Sequence, residues 1–331
     1  MIPRQFFLLL SVTCLWISPV KADDFEPGRY AILLHGGAGS SADSFGDAFN
    51  LARRETMAKA LKAGTDRLKK GESSLDVVEA VVRILEDDPQ FNAGKGSVYT
   101  DQGKCELDAS IMDGRTLACG AVAGVTRIKN PITLARRVMT ETRHVLLSGP
   151  GADQFGEEMK VARVANAYFK TRRQTKAWDG WKKRQARKSP DSKGTVGCVA
   201  LDQQGNLAAA TSTGGMMGKK FGRVGDSPII AAGTYADNET CAVSCTGVGE
   251  EYIRNAIAFD VSARMKYANI SLEEAVTTII ENVLKKGEGG IIAVDRKGNL
   301  VSRFNTGGMA YAEANSDGKF EVHWGRKTPR G

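Results

Sequence analysis

Apolar positions along the chain fall into short runs and helical spacings, which together predict strands packed against helices. The short runs end at glycines or polar turns, a pattern typical of buried strands. Runs of this kind lie at Tyr30–Leu34, Leu107–Met112 and Gly120–Arg127.

Apolar residues spaced three and four apart predict helices, and capping residues mark where several of them begin. A long helix is expected from Phe45 to Lys70, just before Gly71. Ser73 is the expected cap of a second helix, whose apolar stripe ends at Leu85. Further helices are expected after Asn130-Pro131, near Glu250–Met265 and over Ser271–Lys286.

Two stretches in the second half of the chain share one spacing and predict two similar hairpins. In the first, Asp202-x-x-Gly205-Asn206-Leu207 leads to Thr213-Gly214-Gly215-Met216. In the second, Asp295-x-x-Gly298-Asn299-Leu300 leads to Thr306-Gly307-Gly308-Met309. Strands paired in hairpins beside pairs of helices indicate an α+β domain.

A candidate nucleophile lies where a polar, basic segment meets an apolar strand, at Gly194-Thr195-Val196-Gly197. A threonine that starts a new chain carries its own base, because the freed α-amine can take the proton of its hydroxyl. An α-amine with a pKa of about 7.7–8.0 suits this task near neutral pH. Inside an intact chain that nitrogen is an amide, so Thr195 can be catalytic only if the chain cuts itself after Gly194. The alternative interpretation is a plain loop end before a strand.

The net charge of the chain is concentrated just before this boundary. The chain has a formal charge of +8, and residues 170–193 hold ten basic and two acidic residues, so the remainder is neutral. Trp178 and Trp181 lie among these charges, as they would in a nucleic-acid-binding patch. We interpret 170–194 instead as a mobile basic linker, because a segment that ends at a cleaved bond must be exposed. No nucleic-acid partner is therefore expected.

The N-terminus predicts export. Residues 1–22 combine Arg4, an apolar run that begins at Phe6, and small residues at Val20 and Ala22, a pattern typical of a secretory signal peptide. The apolar run is shorter than the roughly 20 residues that span a bilayer. We expect a secreted or periplasmic protein that begins at Asp23 and has no membrane association once the signal is removed.

Eight short segments, in this order, give the chain a specific likeness. They are Leu34–Gly39, Phe91–Gly96, Glu106–Ala109, Gly194–Gly197, Thr211–Gly215, Gly222–Pro228, Ser244–Glu250 and Phe304–Met309. With them the chain resembles the plant-type asparaginases and isoaspartyl peptidases, which are N-terminal-nucleophile hydrolases. The likeness implies a four-layer αββα sandwich that cuts itself into an α chain, 23–194, and a β chain, 195–331.

The resemblance also implies a role for each site residue. Thr195 is the expected nucleophile and Thr213 orients it, while Thr246 and the N–H of Gly247 form the oxyanion hole. Arg223 binds the α-carboxylate of the substrate and Asp226 its α-ammonium, roles that suit a bidentate guanidinium and a carboxylate. An exposed ion pair, which contributes about 0–1 kcal/mol, is the alternative for Arg223 and Asp226. The further substrate contacts expected from the resemblance are Asn92 and Gly249.

The same resemblance implies a structural sodium ion and a dimer of cleaved protomers, with no catalytic cofactor. The ion would be bound by the backbone carbonyls of Leu85, Glu86, Asp88, Phe91, Ala93 and Lys95. The expected reaction is hydrolysis of the β-amide of L-asparagine or of β-aspartyl dipeptides. Glycosylasparaginases share the Gly222–Pro228 loop and remain an alternative.

Two other classes of protein stay open on the sequence. Gly37-x-Gly39-x-x-Ala42 follows a strand and precedes a helix, as in a dinucleotide-binding turn. That turn requires a parallel strand after the helix, and here two helices are expected in succession. A non-enzymatic relative that remains uncleaved is the second possibility.

Overall fold

The computed structural model describes residues 26–39, 44, 46–184 and 194–325. The predicted signal peptide, 1–22, and the second part of the predicted linker, 185–193, lie outside the described residues. So does Ala42 of the possible dinucleotide-binding turn.

The described strands begin near the N-terminus and continue close to the C-terminus. They are β1 (Ala31–Gly39), β2 (Leu107–Asp113), β3 (Cys119–Val125), β4 (Leu146–Ser148), β5 (Val196–Leu201), β6 (Leu207–Thr213), β7 (Thr234–Ala236), β8 (Cys241–Gly247), β9 (Gly289–Asp295), β10 (Leu300–Phe304), β11 (Gly308–Asn315) and β12 (Phe320–Gly325).

The described helices separate into two groups along the chain. They are α1 (Asp47–Lys69), α2 (Ser74–Glu86), α3 (Pro131–Glu141), α4 (Gly149–Glu158), α5 (Arg172–Arg184), α6 (Gly249–Arg254), α7 (Ile257–Ala268) and α8 (Leu272–Thr278), which continues as a π-helical turn over Ile279–Val283. The predicted caps are confirmed, since Ser73 and Ser271 accept hydrogen bonds from the backbone N–H groups of Asp76 and Glu274.

The strands form two sheets. Among the described strands, eight form a sheet in the order β12-β11-β1-β5-β6-β2-β3-β4, and four form a second in the order β10-β9-β8-β7. In the large sheet β4 runs parallel to β3, and the other neighbouring strands are antiparallel. The two predicted hairpins are present, with β5–β6 in the large sheet and β9–β10 in the small one.

Three apolar layers show how the sheets and helices stack. Ile32 faces the layer between the large sheet and helices α1 to α3, whereas its neighbour Leu33 faces the layer between the two sheets. A third layer, which includes Val243 and Val261, lies between the small sheet and helices α7 and α8. Successive residues of a strand point to opposite faces, so these continuous apolar strands are covered on both sides. The predicted four-layer αββα sandwich is confirmed.

The structure differs from the sequence analysis in three places. The dinucleotide-binding interpretation is wrong, because both neighbours of β1 in the sheet are antiparallel to it. The helix predicted near Glu250–Met265 is two helices, α6 and α7, separated at Ala256, whose φ of 46° is left-handed. The first part of the predicted mobile linker is helix α5, in which Trp181 is buried.

Candidate active site

Thr195 lies immediately before β5, in the middle of the large sheet. It is buried, and its neighbour Val196 pairs with Ser212 of β6, which brings Thr213 alongside Thr195. The Thr195 hydroxyl donates a hydrogen bond to Thr213 Oγ1 at 3.2 Å. Thr213 therefore fixes the direction of the Thr195 side chain, as the resemblance implies.

The carbonyl of Gly194 is held by two donors. Asn92 Nδ2 donates to this oxygen at 2.6 Å, and the Thr213 hydroxyl donates to it at 3.2 Å. Asn92 is itself fixed, since Nδ2 also donates to the Gly215 carbonyl at 2.8 Å and Oδ1 accepts from the Val98 N–H at 2.9 Å. Two donors aimed at one carbonyl oxygen would stabilise negative charge on it during attack at Gly194.

Gly37 packs directly against the bond between Gly194 and Thr195. Its φ is +104°, and a Cβ at this position would lie 2.9 Å from Gly194 Cα and 3.1 Å from Thr195 N. Glycine is therefore required both for the backbone conformation and for the close approach. This contact explains why the second residue after His35 is glycine, whereas at Gly36 a Cβ would instead meet the Phe91 ring.

One pocket collects most of the predicted site residues. It is lined by Gly194, Thr195, Thr213, Gly215, Met216, Arg223, Gly225, Asp226, Ser227, Gly247, Val248 and Glu250. Gly249 lies behind this wall, and a Cβ there would be 2.9 Å from Asp226 Oδ1 and 3.0 Å from Arg223 Nη2. Gly249 thus allows Arg223 and Asp226 to lie side by side.

Arg223 is bound through one edge of its guanidinium. Its Nε and Nη2 each donate to a carboxylate oxygen of Glu250 at 2.9 Å. The five N–H groups of a guanidinium form two edges that can each bind a carboxylate. The pair with Glu250 uses the Nε–Nη2 edge, so the Nη1–Nη2 edge can take a second carboxylate.

Asp226 is a buried acid at the same corner of the pocket. The residue is 4% exposed, and within the described part of the chain Oδ2 has no hydrogen-bond partner. Burial raises the pKa of this carboxyl from its ordinary 3.8 to about 7, against the opposing effect of the Arg223 charge. A buried, incompletely paired carboxylate is suited to bind an ammonium group.

Thr246 and Gly247 lie at the end of β8. Gly247 lines the pocket, whereas Thr246 is fully buried behind it. Thr246 Oγ1 accepts a hydrogen bond from the Ala38 N–H at 3.2 Å. This contact leaves the hydroxyl hydrogen of Thr246 to donate, as an oxyanion hole requires.

In the loop that carries Asn92, two glycines pack closely against backbone carbonyl groups. A Cβ at Gly94 would lie 2.3 Å from the Glu86 carbonyl oxygen, and one at Gly96 would lie 2.0 Å from that of Phe91. Among the carbonyls expected at the sodium site, those of Leu85, Asp88 and Ala93 accept backbone hydrogen bonds within this loop. Carbonyl oxygens are hard donors suited to a hard cation. Because Gly94 and Gly96 have no side chains, the carbonyl oxygens of Glu86 and Phe91 are not covered by a Cβ.

Asn92→Ala should slow self-cleavage. The change removes a donor from the Gly194 carbonyl, and loss of one such donor typically slows an acyl-transfer step by about 10²–10³-fold. The rate would be followed on denaturing gels as the full-length chain splits after expression.

Asn166→Ala is the matched control for this variant. Asn166 also bridges two carbonyls, those of Cys105 and Thr126, but it does not contact Gly194. Cleavage at the normal rate in Asn92→Ala, or an equal delay in both variants, would contradict the assignment.

Three further residues, which no sequence motif marked as functional, lie close to the site. Glu250 binds Arg223, and the fully buried His35 bonds Ser244 Oγ through Nε2 at 3.1 Å. Burial lowers the pKa of His35 to about 3, so its ring is neutral.

The side chain of Lys219 is buried, with Nζ 2.9 Å from the Glu106 carbonyl oxygen and 3.6 Å from the Asp108 carboxylate. An ionisable residue within an apolar or glycine-rich run was the available signal.

The chain is similar to proteins of known name from several organisms. It is 45% identical over 294 residues to the isoaspartyl peptidase of Escherichia coli strain K12, a match that covers 85% of this chain and 92% of that protein. It is 42% identical over 322 residues to a probable isoaspartyl peptidase/L-asparaginase 2 of Arabidopsis thaliana, covering 89% and 98%. It is also 42% identical over 296 residues to an isoaspartyl peptidase/L-asparaginase of Mus musculus, covering 88% and 89%.

The site geometry and the comparisons agree on one family. The described residues place Thr195 with the hydroxyl that orients it, the hydrogen-bonded Gly194 carbonyl and an arginine–aspartate pair around one pocket. The sequence matches the asparaginase family over residues 28–324. Together with the identities to its named relatives, this match shows that the chain belongs to the asparaginase family.

Proposed function

We propose that this enzyme hydrolyses the β-amide of L-asparagine and of β-aspartyl dipeptides and releases L-aspartate. The observation that supports this reaction best is that Thr195, Arg223 and Asp226 line one pocket. A substrate whose α-carboxylate and α-ammonium are both held must present its side-chain carbonyl to the nucleophile. The relatives from Arabidopsis thaliana and Mus musculus are named for both activities, and the relative from Escherichia coli is named an isoaspartyl peptidase.

Self-cleavage comes first in the proposed mechanism. Thr195 Oγ attacks the carbonyl carbon of Gly194, with the oxyanion stabilised by Asn92 and Thr213. The bond from Gly194 to the Thr195 nitrogen breaks, the proton of the hydroxyl moves to that nitrogen, and an ester forms at Oγ. Water then hydrolyses the ester, which leaves a carboxylate on Gly194 and frees both the amine and the hydroxyl of Thr195.

The freed amine is the base for the second reaction. It takes the proton of the Thr195 hydroxyl as Oγ attacks the β-carbonyl of the substrate, and passes it to the departing ammonia or amino acid. Thr246 and the Gly247 N–H bind the oxyanion that forms. Water then cleaves the β-aspartyl ester, and aspartate leaves from between Arg223 and Asp226.

A panel of four substrates tests the proposal. L-Asparagine and β-Asp-Leu should be hydrolysed, whereas α-Asp-Leu should be refused because its α-carboxylate is in the peptide bond and Arg223 would lose its partner. Turnover of α-Asp-Leu at a comparable rate would contradict the binding mode. Cleavage of a GlcNAc-asparagine conjugate alone would favour the glycosylasparaginase alternative, and a chain that never cleaves would favour a non-enzymatic relative.

The pKa of Asp226 predicts a pH-dependent stability. The folded-state pKa of about 7 lies above the ordinary 3.8, so the folded protein keeps a proton that the unfolded chain has released between these values. The resulting stabilisation is complete below about pH 4 and is lost as the pH rises toward 7. Relative to a variant without this carboxylate, the protein should therefore melt at progressively lower temperature over that range.

Thermal melts of two uncleaved proteins measure this effect. The host is Thr195→Ala, and the comparison is Thr195→Ala combined with Asp226→Asn, so other titrating groups cancel in the difference. The melting temperature of the host minus that of the double variant should fall between pH 4 and pH 7 and then level off. A difference that stays constant with pH would contradict the buried-acid assignment.

We further propose a structural sodium ion, bound by the carbonyls of Leu85, Glu86, Asp88, Phe91, Ala93 and Lys95. The ion would rigidify the loop that carries Asn92, and it takes no part in bond breaking. Export through the predicted signal peptide, and a dimer of cleaved protomers, belong to the same proposal. Among the described residues, no helix is long and apolar enough to cross a membrane.

A further inference from the structure

Helix α5 is docked on the loop Met216–Lys219, which borders the active site. Trp181 of α5 is 6% exposed and lies against Gly218 of the loop. A Cβ at Gly218 would be 2.0 Å from Trp181 Cζ2, and the φ of Gly218 is +74°. The indole therefore fills the space that a side chain at this position would need, and it fits only against glycine.

Other contacts fix both partners of this packing. The Gly218 N–H donates to the Tyr99 carbonyl at 2.6 Å, and the Tyr99 hydroxyl lies 2.9 Å from Thr175 Oγ1 of α5. Trp178 Nε1 donates to the Thr100 carbonyl at 3.0 Å. Helix α5 thus clamps the Tyr99–Thr100 segment and the Met216–Lys219 loop together.

Met216, at the start of this loop, lines the pocket with Thr195 and Arg223. It is 37% exposed, and Val248 is the other large apolar residue in the pocket lining. Lys219, at the end of the loop, is anchored in the interior by Glu106 and Asp108. The loop therefore presents an apolar side chain to the pocket from a fixed base.

The leaving group is the part of the substrate that this apolar side chain suits. Arg223 and Asp226 take the charged α-groups, and Thr195 takes the β-carbonyl. For L-asparagine the leaving group is ammonia, which is small and polar. For a β-aspartyl dipeptide it is a whole amino acid, whose side chain can pack on Met216.

We propose that Trp181 is a positioning residue for the leaving-group side of the pocket. By packing on Gly218 it holds Met216 in place, and so favours β-aspartyl dipeptides with apolar leaving residues over L-asparagine. This inference rests on the proposed hydrolase function.

The test compares kcat/KM for β-Asp-Leu and for L-asparagine in wild type and Trp181→Ala. The ratio of the two values should fall about tenfold, at the low end of the effect of losing a methylene-sized contact in an apolar pocket. The loss should lie mainly in KM for the dipeptide, with L-asparagine turnover little changed. Trp181→Phe keeps a ring on Gly218 and should restore most of the ratio.

Two further variants separate positioning from general stability. Trp178→Ala removes the neighbouring indole, which packs on Gly103 and bonds Thr100 rather than packing on Gly218, so it should lower the ratio less than Trp181→Ala does. Met216→Ala should reproduce the fall without touching α5. Circular dichroism and a denaturing gel would confirm that each protein is folded and cleaved.

The possible results are distinct. An unchanged ratio in Trp181→Ala, or an equal loss on both substrates, overturns the inference. If Trp181→Ala does not fold, an unchanged ratio in Met216→Ala overturns it instead. A wild-type enzyme inactive on both substrates would defeat the proposed function itself.

Discussion

Thr195→Ala should give a single uncut chain with no measurable hydrolysis of L-asparagine. Both reactions use the same hydroxyl, and the amine that activates it in the second exists only after the first. Removing a catalytic nucleophile typically lowers kcat by about 10⁶-fold. A denaturing gel and release of ammonia would measure the two effects, and N-terminal sequencing of the wild type should find a chain beginning at Thr195.

Thr195→Ser is the informative partner of this variant. It keeps the hydroxyl and lacks only the methyl group, so it should still split and still turn over, although more slowly. If Thr195→Ala splits into the same two pieces, an outside protease makes the cut. If it stays intact yet hydrolyses L-asparagine, Thr195 is not the nucleophile.

Arg223→Lys should have the second largest effect, on kcat/KM for L-asparagine. The guanidinium binds Glu250 through one edge, and the proposal has the substrate α-carboxylate on the other. A lysine keeps the charge but cannot make two bidentate pairs. We expect a loss of about 1.5–3 kcal/mol in transition-state binding, the range for hydrogen bonds to charged groups.

Arg254→Lys is a control that leaves the pocket intact. Arg254 is an exposed residue of α6 that pairs with Glu251, and exposed pairs contribute about 0–1 kcal/mol. Its kinetics should match the wild type. Arg223→Lys kinetics that also match the wild type would return Arg223 to the role of a surface ion pair.

The short motifs that carry the family resemblance contain much of the candidate site, although local sequence alone left a loop end and an exposed ion pair as alternatives. Thr195, Thr213, Arg223 and Asp226 lie in short glycine-bounded motifs, and the structure places all four around one pocket. Glycine marks close approach and unusual backbone conformation, so the motifs carried geometric information even before a fold was known.

What the sequence did not predict depends on contacts between distant parts of the chain. The pairing of β11 with β1 joins residues such as Ala31 and Asn315, which are far apart in the sequence. Local periodicity cannot predict a pairing between such distant segments. The buried side of α5, which includes Gln174 and Trp181, is masked in the sequence by the high net charge of the segment, which is typical of a linker. Glu250 follows the end of β8 at Gly247, so its position beside Arg223 depends on where that strand ends. The end of the strand is determined by its pairing in the assembled sheet.

The order of strands in the large sheet has a consequence for the cleaved enzyme. Strand β5, which follows Thr195, lies between β1 and β6, and β6 in turn pairs with β2. After the cut, β1 and β2 belong to one polypeptide and β5 and β6 to the other. Strands of the two fragments therefore alternate within one sheet, with β5 and β6 hydrogen-bonded between β1 and β2. The fragments cannot come apart without unfolding, and unfolded fragments would have to meet again in a bimolecular step. The uncut precursor folds with both halves tethered, so its assembly is a first-order process that the mature enzyme can no longer repeat.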